Sequence, residues 1–245
     1  MHRLYSPSEN ISGDKIIIVD KNQIHHAKDV LRLKVNDTVI IFDGKGKEYA
    51  GIIQKLLPKE LTVEVQEIRL NDQKLLLPEV TLAIAIPKRN RMDYLIEKCT
   101  ELGVDTIIPM KTERTVVSIK KDNEPNRIAR WEKIAIEASE QSGRTVLPKI
   151  KQIMEFSAVL PKAKDYDLAM LFCLIAEKRE NLRQILSKFE AKRILAFIGP
   201  EGDFTPGEVN LSKEAGCVLV SLGQRILKVD TASIFIMAAV NLTQY

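Results

Sequence analysis

Cysteine is scarce in this 245-residue chain: Cys99, Cys173 and Cys217 stand far apart, each in an apolar frame. There is no C-x-x-C and the count is odd, which argues against a disulfide framework or a zinc site and fits a reducing, cytoplasmic compartment. No apolar run reaches the length of a membrane span, and Met1 to Pro7 lack the apolar core of a signal peptide, so no membrane association is expected. His25 and His26 have no metal-like neighbours, and no metal is expected. Net charge is also low, formally +4 with a pI near 8.8, so any nucleic-acid footprint has to come from local clusters. Neither G-x-G-x-x-G directly after a strand nor G-x-x-x-x-G-K-[ST] occurs, which removes a nicotinamide enzyme and a P-loop nucleotidase.

What is present concentrates near the C-terminus. Ile194 to Ile198 is an apolar strand that runs into Gly199-Pro200-Glu201-Gly202-Asp203-Phe204. Thr205, Pro206 and Glu208 then spell a helix start: a hydroxyl cap, proline at the first helical position and a carboxylate three residues after the cap. Gly216 ends that helix. A second strand, Cys217 to Ser221, leads into Leu222-Gly223-Gln224-Arg225-Ile226-Leu227-Lys228-Val229-Asp230, and from Thr231 the chain reads as a helix apolar on nearly all sides. Such a helix is expected to be buried against the sheet and a partner.

The pairing of Gly199-Pro200-Glu201-Gly202 with Leu222-Gly223-Gln224-Arg225-Ile226-Leu227 and Asp230-Thr231-Ala232 resembles the SPOUT superfamily of S-adenosylmethionine-dependent RNA methyltransferases. Within it the chain is most similar to the bacterial RsmE family, which methylates N3 of a uridine in 16S ribosomal RNA. The likeness extends to Glu97-Lys98 with Glu101-Leu102-Gly103-Val104, to Arg130-Trp131, and to Glu140-Gln141-Ser142 with Arg144. Two positions depart from the family pattern. Asp203 stands where a third glycine is usual, and Lys228-Val229-Asp230 stands where Arg, Thr, Glu is usual.

Earlier in the chain, residues 1 to about 70 read as short strands at Lys15 to Asp20, Thr38 to Phe42, Glu48 to Gln54 and Leu61 to Ile68. A hairpin tip lies at Asp43 to Lys47 and a short helix at His25 to Leu33. This all-β pattern suits a small barrel, and the resemblance makes it a PUA-like RNA-binding domain. Asn71 to Pro78 reads as a linker, which divides the chain into 1–74 and 75–245. Beyond it strands and helices alternate. Strands fall at Thr81 to Ile86, Thr106 to Pro109 and Asp167 to Leu174, and helices start near Met92, at Asn126 to Gln141 and at Arg179 to Phe189. That order predicts an α/β domain with a parallel sheet covered on both faces. Ligands of such sheets bind beyond the carboxyl ends of the strands, where both glycine loops fall. A deep trefoil knot and a homodimer are expected from the resemblance alone.

S-adenosylmethionine carries no phosphate; it needs an apolar slot for adenine, close backbone and tolerance of a sulfonium cation. The resemblance implies a cofactor site formed by Phe172, Ile198, Gly199, Glu201, Gly202, Leu222, Gly223, Arg225, Ile226, Leu227, Thr231 and Ala232. Uridine N3 must lose its proton before it can be methylated. Arg144 and Arg225 are the candidates to hold charge on the uracil carbonyls or a neighbouring phosphate, although a surface arginine and a structural ion pair with Glu201 or Asp230 are the respective alternatives. Glu201 or Asp230 is the candidate proton acceptor. Arg3, His26, Arg32, Lys45, Lys88, Arg89, Arg91 and Arg114 are the candidate contacts to ribosomal RNA, against the reading of solvated loops. A non-catalytic RNA-binding or ribosome-assembly protein of the same fold, or a methyltransferase for another RNA position, are the competing functions.

Overall fold

The computed structural model describes residues 1–70, 78–176, 178–188 and 190–243. The linker read at 71–77, with its boundary near 75, and the place of Phe189 on a helix face lie outside the described residues. The chain forms two compact units, Met1–Leu75 with Ser139–Leu147, and Leu76–Ala138 with Pro148–Tyr245.

The first unit contains β1 (His2–Tyr5), β2 (Ile11–Ser12), β3 (Lys15–Ile18), α1 (Lys21–His25), a π-helical stretch at His26–Val30, β4 (Thr38–Phe42), β5 (Lys47–Leu57) and β6 (Glu60–Leu70). Its six-stranded sheet runs β1-β4-β5-β6-β3-β2. Alternation of inward and outward side chains sorts Ile16 and Ile18 of β3, and Val39 and Ile41 of β4, into one core with Leu4, Ile24, Ile53, Leu61 and Val63. The helix starts earlier than its apolar pattern suggests: Asp20, read from sequence as the end of a strand, is an N-cap whose carboxylate accepts from the Gln23 N–H at 2.9 Å. β1 has no local signature because it is parallel to β4 and pairs Arg3 with Ile40 and Leu4 with Ile41.

Glu140 and Arg144, read from sequence as part of the second domain, belong to this unit. The buried Glu140 carboxylate accepts from the Tyr5 N–H at 2.9 Å and from Gln23 Nε2 at 2.8 Å, while Gly46 N–H donates to the Thr145 carbonyl at 3.3 Å.

The second unit contains β7 (Glu79–Ala85), α2 (Arg91–Glu101), β8 (Thr106–Lys111), most of α3 (Glu124–Ser142), β9 (Lys149–Ile150), β10 (Met154–Glu155), α4 (Phe156–Val159), β11 (Leu168–Phe172), β12 (Glu180–Asn181), α5 (Leu182–Leu186), β13 (Arg193–Ile198), α6 (Pro206–Glu214), β14 (Val218–Ser221) and α7 (Val229–Leu242). The strands run in the order β10-β8-β7-β13-β11-β14-β12, with β9 beside β8, and all pair in parallel. Alternation again divides the side chains. Leu82, Met170, Ile194, Ala196 and Ile198 face one core with Met92, Leu95, Trp131, Ile236 and Met237. Ala83, Leu171, Leu195 and Phe197 face the other with Phe156, Val159, Phe204 and Val209. The central strands β7, β8, β11, β13 and β14 are therefore apolar on both sides, which is why they read as apolar runs.

The helix expected from Arg179 starts only at Leu182, where the Asn181 side chain caps it. Helix α7 starts two residues before Thr231 and is less enclosed than expected. Val229, Ala232, Ser233, Ile236, Met237 and Val240 are buried, whereas Thr231, Phe235 and Leu242 are exposed.

Candidate active site

Because the sheet is parallel, β13, β11 and β14 end together as three neighbours. Beyond their carboxyl ends lies a cleft of about 200 Å³. One wall comes from the loop after β13. Its first glycine is required by packing: a Cβ on Gly199 would lie 3.0 Å from the ring of Phe204, which is fully buried beneath it. The Asp203 N–H closes the turn on the Pro200 carbonyl at 2.9 Å. Helix α6 then starts with the reciprocal cap anticipated from sequence: Glu208 N–H donates to Thr205 Oγ1 at 3.3 Å and Thr205 N–H to Glu208 Oε2 at 2.8 Å. The opposite wall is the loop after β14, where Gly223 has φ +110°, a left-handed conformation open to glycine at little cost.

Phe172, Ile198, Val220, Leu222, Leu227, Val229 and Ala232 supply an apolar lining, and Glu201, Asp203, Arg179, Arg225 and Lys228 supply charge around it. This donor set fits S-adenosylmethionine: an apolar slot for a purine, with carboxylates close by for a cation. Burial first, and the Asp203 charge second, push the Cys173 thiol up.

Of the residues expected at the cofactor site, Phe172, Ile198, Gly199, Glu201, Leu222, Gly223, Arg225, Ile226, Leu227 and Ala232 line the cleft. Gly202 and Thr231 do not. The Gly202 carbonyl is turned to Arg114, whose Nη1 donates to it at 2.9 Å, and Thr231 is exposed on the outer side of α7. Sequence reasoning missed Cys173, Leu174 and Arg179, which follow β11, as well as Asp203 and Lys228. The rule that ligands sit at strand ends, applied to β11 as well as to the two glycine loops, would have found the first of these.

Glu201 and Arg225 face the same cleft. Asp230 sits in the first turn of α7, with Oδ1 buried, lacking a hydrogen-bond partner among the described residues, and 3.9 Å from Arg91 Nη1. Arg144 lies in the other unit, where its Nε donates to the Val146 carbonyl at 2.5 Å.

Among the candidate RNA contacts, Arg32, Lys45, Lys88 and Arg89 are exposed, and Arg32 and Arg89 take positive φ of 55° and 60°. His26 is partly exposed, with Nε2 3.8 Å from Glu140 Oε2. Two others have work inside the fold. Arg3 pairs with Glu48 and lies 5.3 Å from the centroid of the Phe42 ring, and Arg114 bonds the Gly202 and Phe204 carbonyls. Among the described residues no cluster of His, Cys, Asp or Glu is arranged to hold a metal ion, and no helix is long and apolar enough to cross a membrane.

This chain, with its parallel sheet and strand-end cleft, belongs to the RNA methyltransferases. The family model for an RNA methyltransferase domain matches residues 74–241, and that for an RNA methyltransferase PUA domain matches residues 19–66. More narrowly, the chain belongs to the ribosomal RNA small subunit methyltransferase E family. It is 33% identical to the Rickettsia conorii member over 98% of this chain and 95% of that protein. The structure of the Neisseria gonorrhoeae member bound to S-adenosylmethionine is similar with a TM-score of 0.84 at 30% identity, covering 99% of this chain and 97% of that one. A Legionella pneumophila protein solved with S-adenosylmethionine as bound cofactor has a TM-score of 0.88 at 28% identity, covering 98% and 96%.

Proposed function

We propose that this protein methylates N3 of a specific uridine in 16S ribosomal RNA, using S-adenosylmethionine, in the cytoplasm. The observation that carries the reading is the cleft at the joined ends of β13, β11 and β14, with an apolar lining and flanking carboxylates. When bound, S-adenosylmethionine supplies a methyl group activated by its sulfonium. Phe172, Ile198, Leu222 and Leu227 offer the adenine slot, and the backbone beside Gly199 and Gly223 offers close polar contact. Arg225, exposed at the cleft rim, stabilises negative charge on the uracil carbonyls once N3 is deprotonated. Glu201 or Asp230 accepts the proton: Glu201 lines the cleft, and Asp230 keeps a buried oxygen that accepts no hydrogen bond among the described residues and lies 3.9 Å from Arg91 Nη1. Exposed Arg32, Lys45, Lys88 and Arg89 hold RNA phosphates, with Arg144 and His26 as further contacts on the first unit. The domain division at about residue 75 and the trefoil knot implied by the resemblance form part of the same proposal.

Calorimetric titration with S-adenosylhomocysteine tests the cofactor site. Gly223→Val forces a β-branched residue into a left-handed conformation and is expected to weaken binding by about tenfold or more. Arg225→Ala is expected to retain binding while lowering methyl transfer to small-subunit RNA by about a hundredfold. Mass spectrometry of digested RNA then reads the product. Cofactor binding without any N3-methyluridine would overturn the assigned reaction.

The exposed stripe of Thr231, Phe235 and Leu242 on α7 is proposed as a homodimer face. Phe235→Asp is expected to halve the mass seen by sedimentation. An unchanged mass, or a monomer before substitution, argues against that face.

A further inference from the structure

Resting on the cofactor reading of the cleft, we infer that Asp203 is a positioning residue: its carboxylate fastens the loop after β11 to the loop after β13 and so sets the width of the cleft between them.

The backbone at Asp203 has φ +61°, in the left-handed region that ordinary residues avoid and that Asp and Asn tolerate better than most. Its side chain reaches across to the neighbouring strand end, where Oδ2 accepts from the Leu174 N–H at 2.7 Å and from the Ile175 N–H at 3.2 Å. Leu174 and Ile175 are 46% and 45% exposed, so little burial holds this loop in place. Its position rests on polar ties. The second tie lies within the loop itself, where Arg179 Nη1 donates to the Cys173 carbonyl at 3.0 Å. The loop thus has two N–H groups bound by the Asp203 carboxylate and one carbonyl bound by a guanidinium, and all three bonds, each to a charged partner, are of the stronger kind. Because β11 lies between β13 and β14, this segment separates the two glycine loops. Glu201 cannot substitute, since its Oε1 accepts from the Lys88 N–H at 3.2 Å on the opposite flank. Glycine at 203 would adopt the same backbone without strain and offer no acceptor.

That last property gives the test. Asp203→Gly removes the two hydrogen bonds and relieves the backbone, so a weakened cofactor site cannot be blamed on a strained or misfolded chain. In the full-length protein, Asp203→Gly is expected to raise the Kd for S-adenosylhomocysteine about tenfold, to raise KM for S-adenosylmethionine more than it lowers kcat, and to speed amide exchange at Leu174 and Ile175, with no loss of Tm. Asp203→Asn keeps an acceptor in a residue that tolerates the backbone, and is expected to restore the Kd to within about threefold. Unaltered Kd in Asp203→Gly, or unaltered exchange at Leu174 and Ile175, overturns the inference. So does an Asn variant as weak as the Gly variant, because charge and not the tie would then be at work. Failure of the unaltered protein to bind S-adenosylhomocysteine overturns the cofactor reading itself.

Discussion

Phe204→Ala is expected to cost the second unit about 3–5 kcal/mol of stability, the range for removing a buried aromatic ring. Phe204 is fully buried in the core formed on one face of the parallel sheet and packs on Phe156 with ring centroids 5.6 Å apart. It differs from other core aromatics in what lies above it. Its ring underlies Gly199, so the cavity left by the substitution opens beneath the loop that forms one wall of the cleft. A second effect is therefore expected, a weakened affinity for S-adenosylhomocysteine in the protein that remains folded. Phe156→Ala is the control, because Phe156 packs on Phe197 and Phe204, whereas the three atoms nearest a Cβ on Gly199 all belong to Phe204. Urea denaturation and calorimetry on both variants separate the two effects. Equal affinity in both would mean that Phe204 supports the core alone and not the cofactor loop.

Gly51→Ala is expected to destabilise the first unit by about 3 kcal/mol, at the upper end of what an added methyl group costs when its neighbours cannot move aside. Gly51 sits in β5 at a register shift against β6, and a Cβ there would lie 2.4 Å from the Glu64 carbonyl oxygen and 2.6 Å from Val63 Cγ1. The nearest atom is backbone within a paired strand, so the ladder itself must shift. Amide exchange across residues 47–70 and the thermal transition report the loss. The cofactor cleft is built entirely from the second unit, so the affinity for S-adenosylhomocysteine measured below the transition serves as an internal reference. A variant with unchanged Tm and exchange would show that the bulge relaxes freely, contrary to its geometry.

What could be read in advance depended on whether the cause was local. The capping box of Thr205 and Glu208, the hairpin tip between β4 and β5 and the apolar runs of β11 and β13 are written in adjacent residues, and each appears within a residue or two of its expected place. Strand β1 could not be read because His2–Tyr5 becomes a strand only by pairing with residues 39–42. The inward turn of Arg3 follows from the same pairing and from Glu48, far along the chain. At the site, glycine marked two of the three loops. The third, after β11, carries no unusual residue of its own, because the group that holds it in place is Asp203, 28 or 29 positions away. Asp203 itself attracted attention only as a departure from a glycine pattern, whereas its left-handed backbone and its two accepted hydrogen bonds give it a defined task.

The backbone passes between the two units at 75–76, again at 138–139 and again at 147–148. No single cut, and no single exchange of one terminal half for another, can therefore separate them cleanly. The same fact orders events during synthesis. The Tyr5 N–H and the Gln23 amide are made among the first residues, yet their acceptor on Glu140 does not exist until the chain is past its midpoint, and the Gly46 N–H waits as long for Thr145. The N-terminal unit is the first to be begun, but it can be completed only after β7, α2 and β8 of the other unit have already been made.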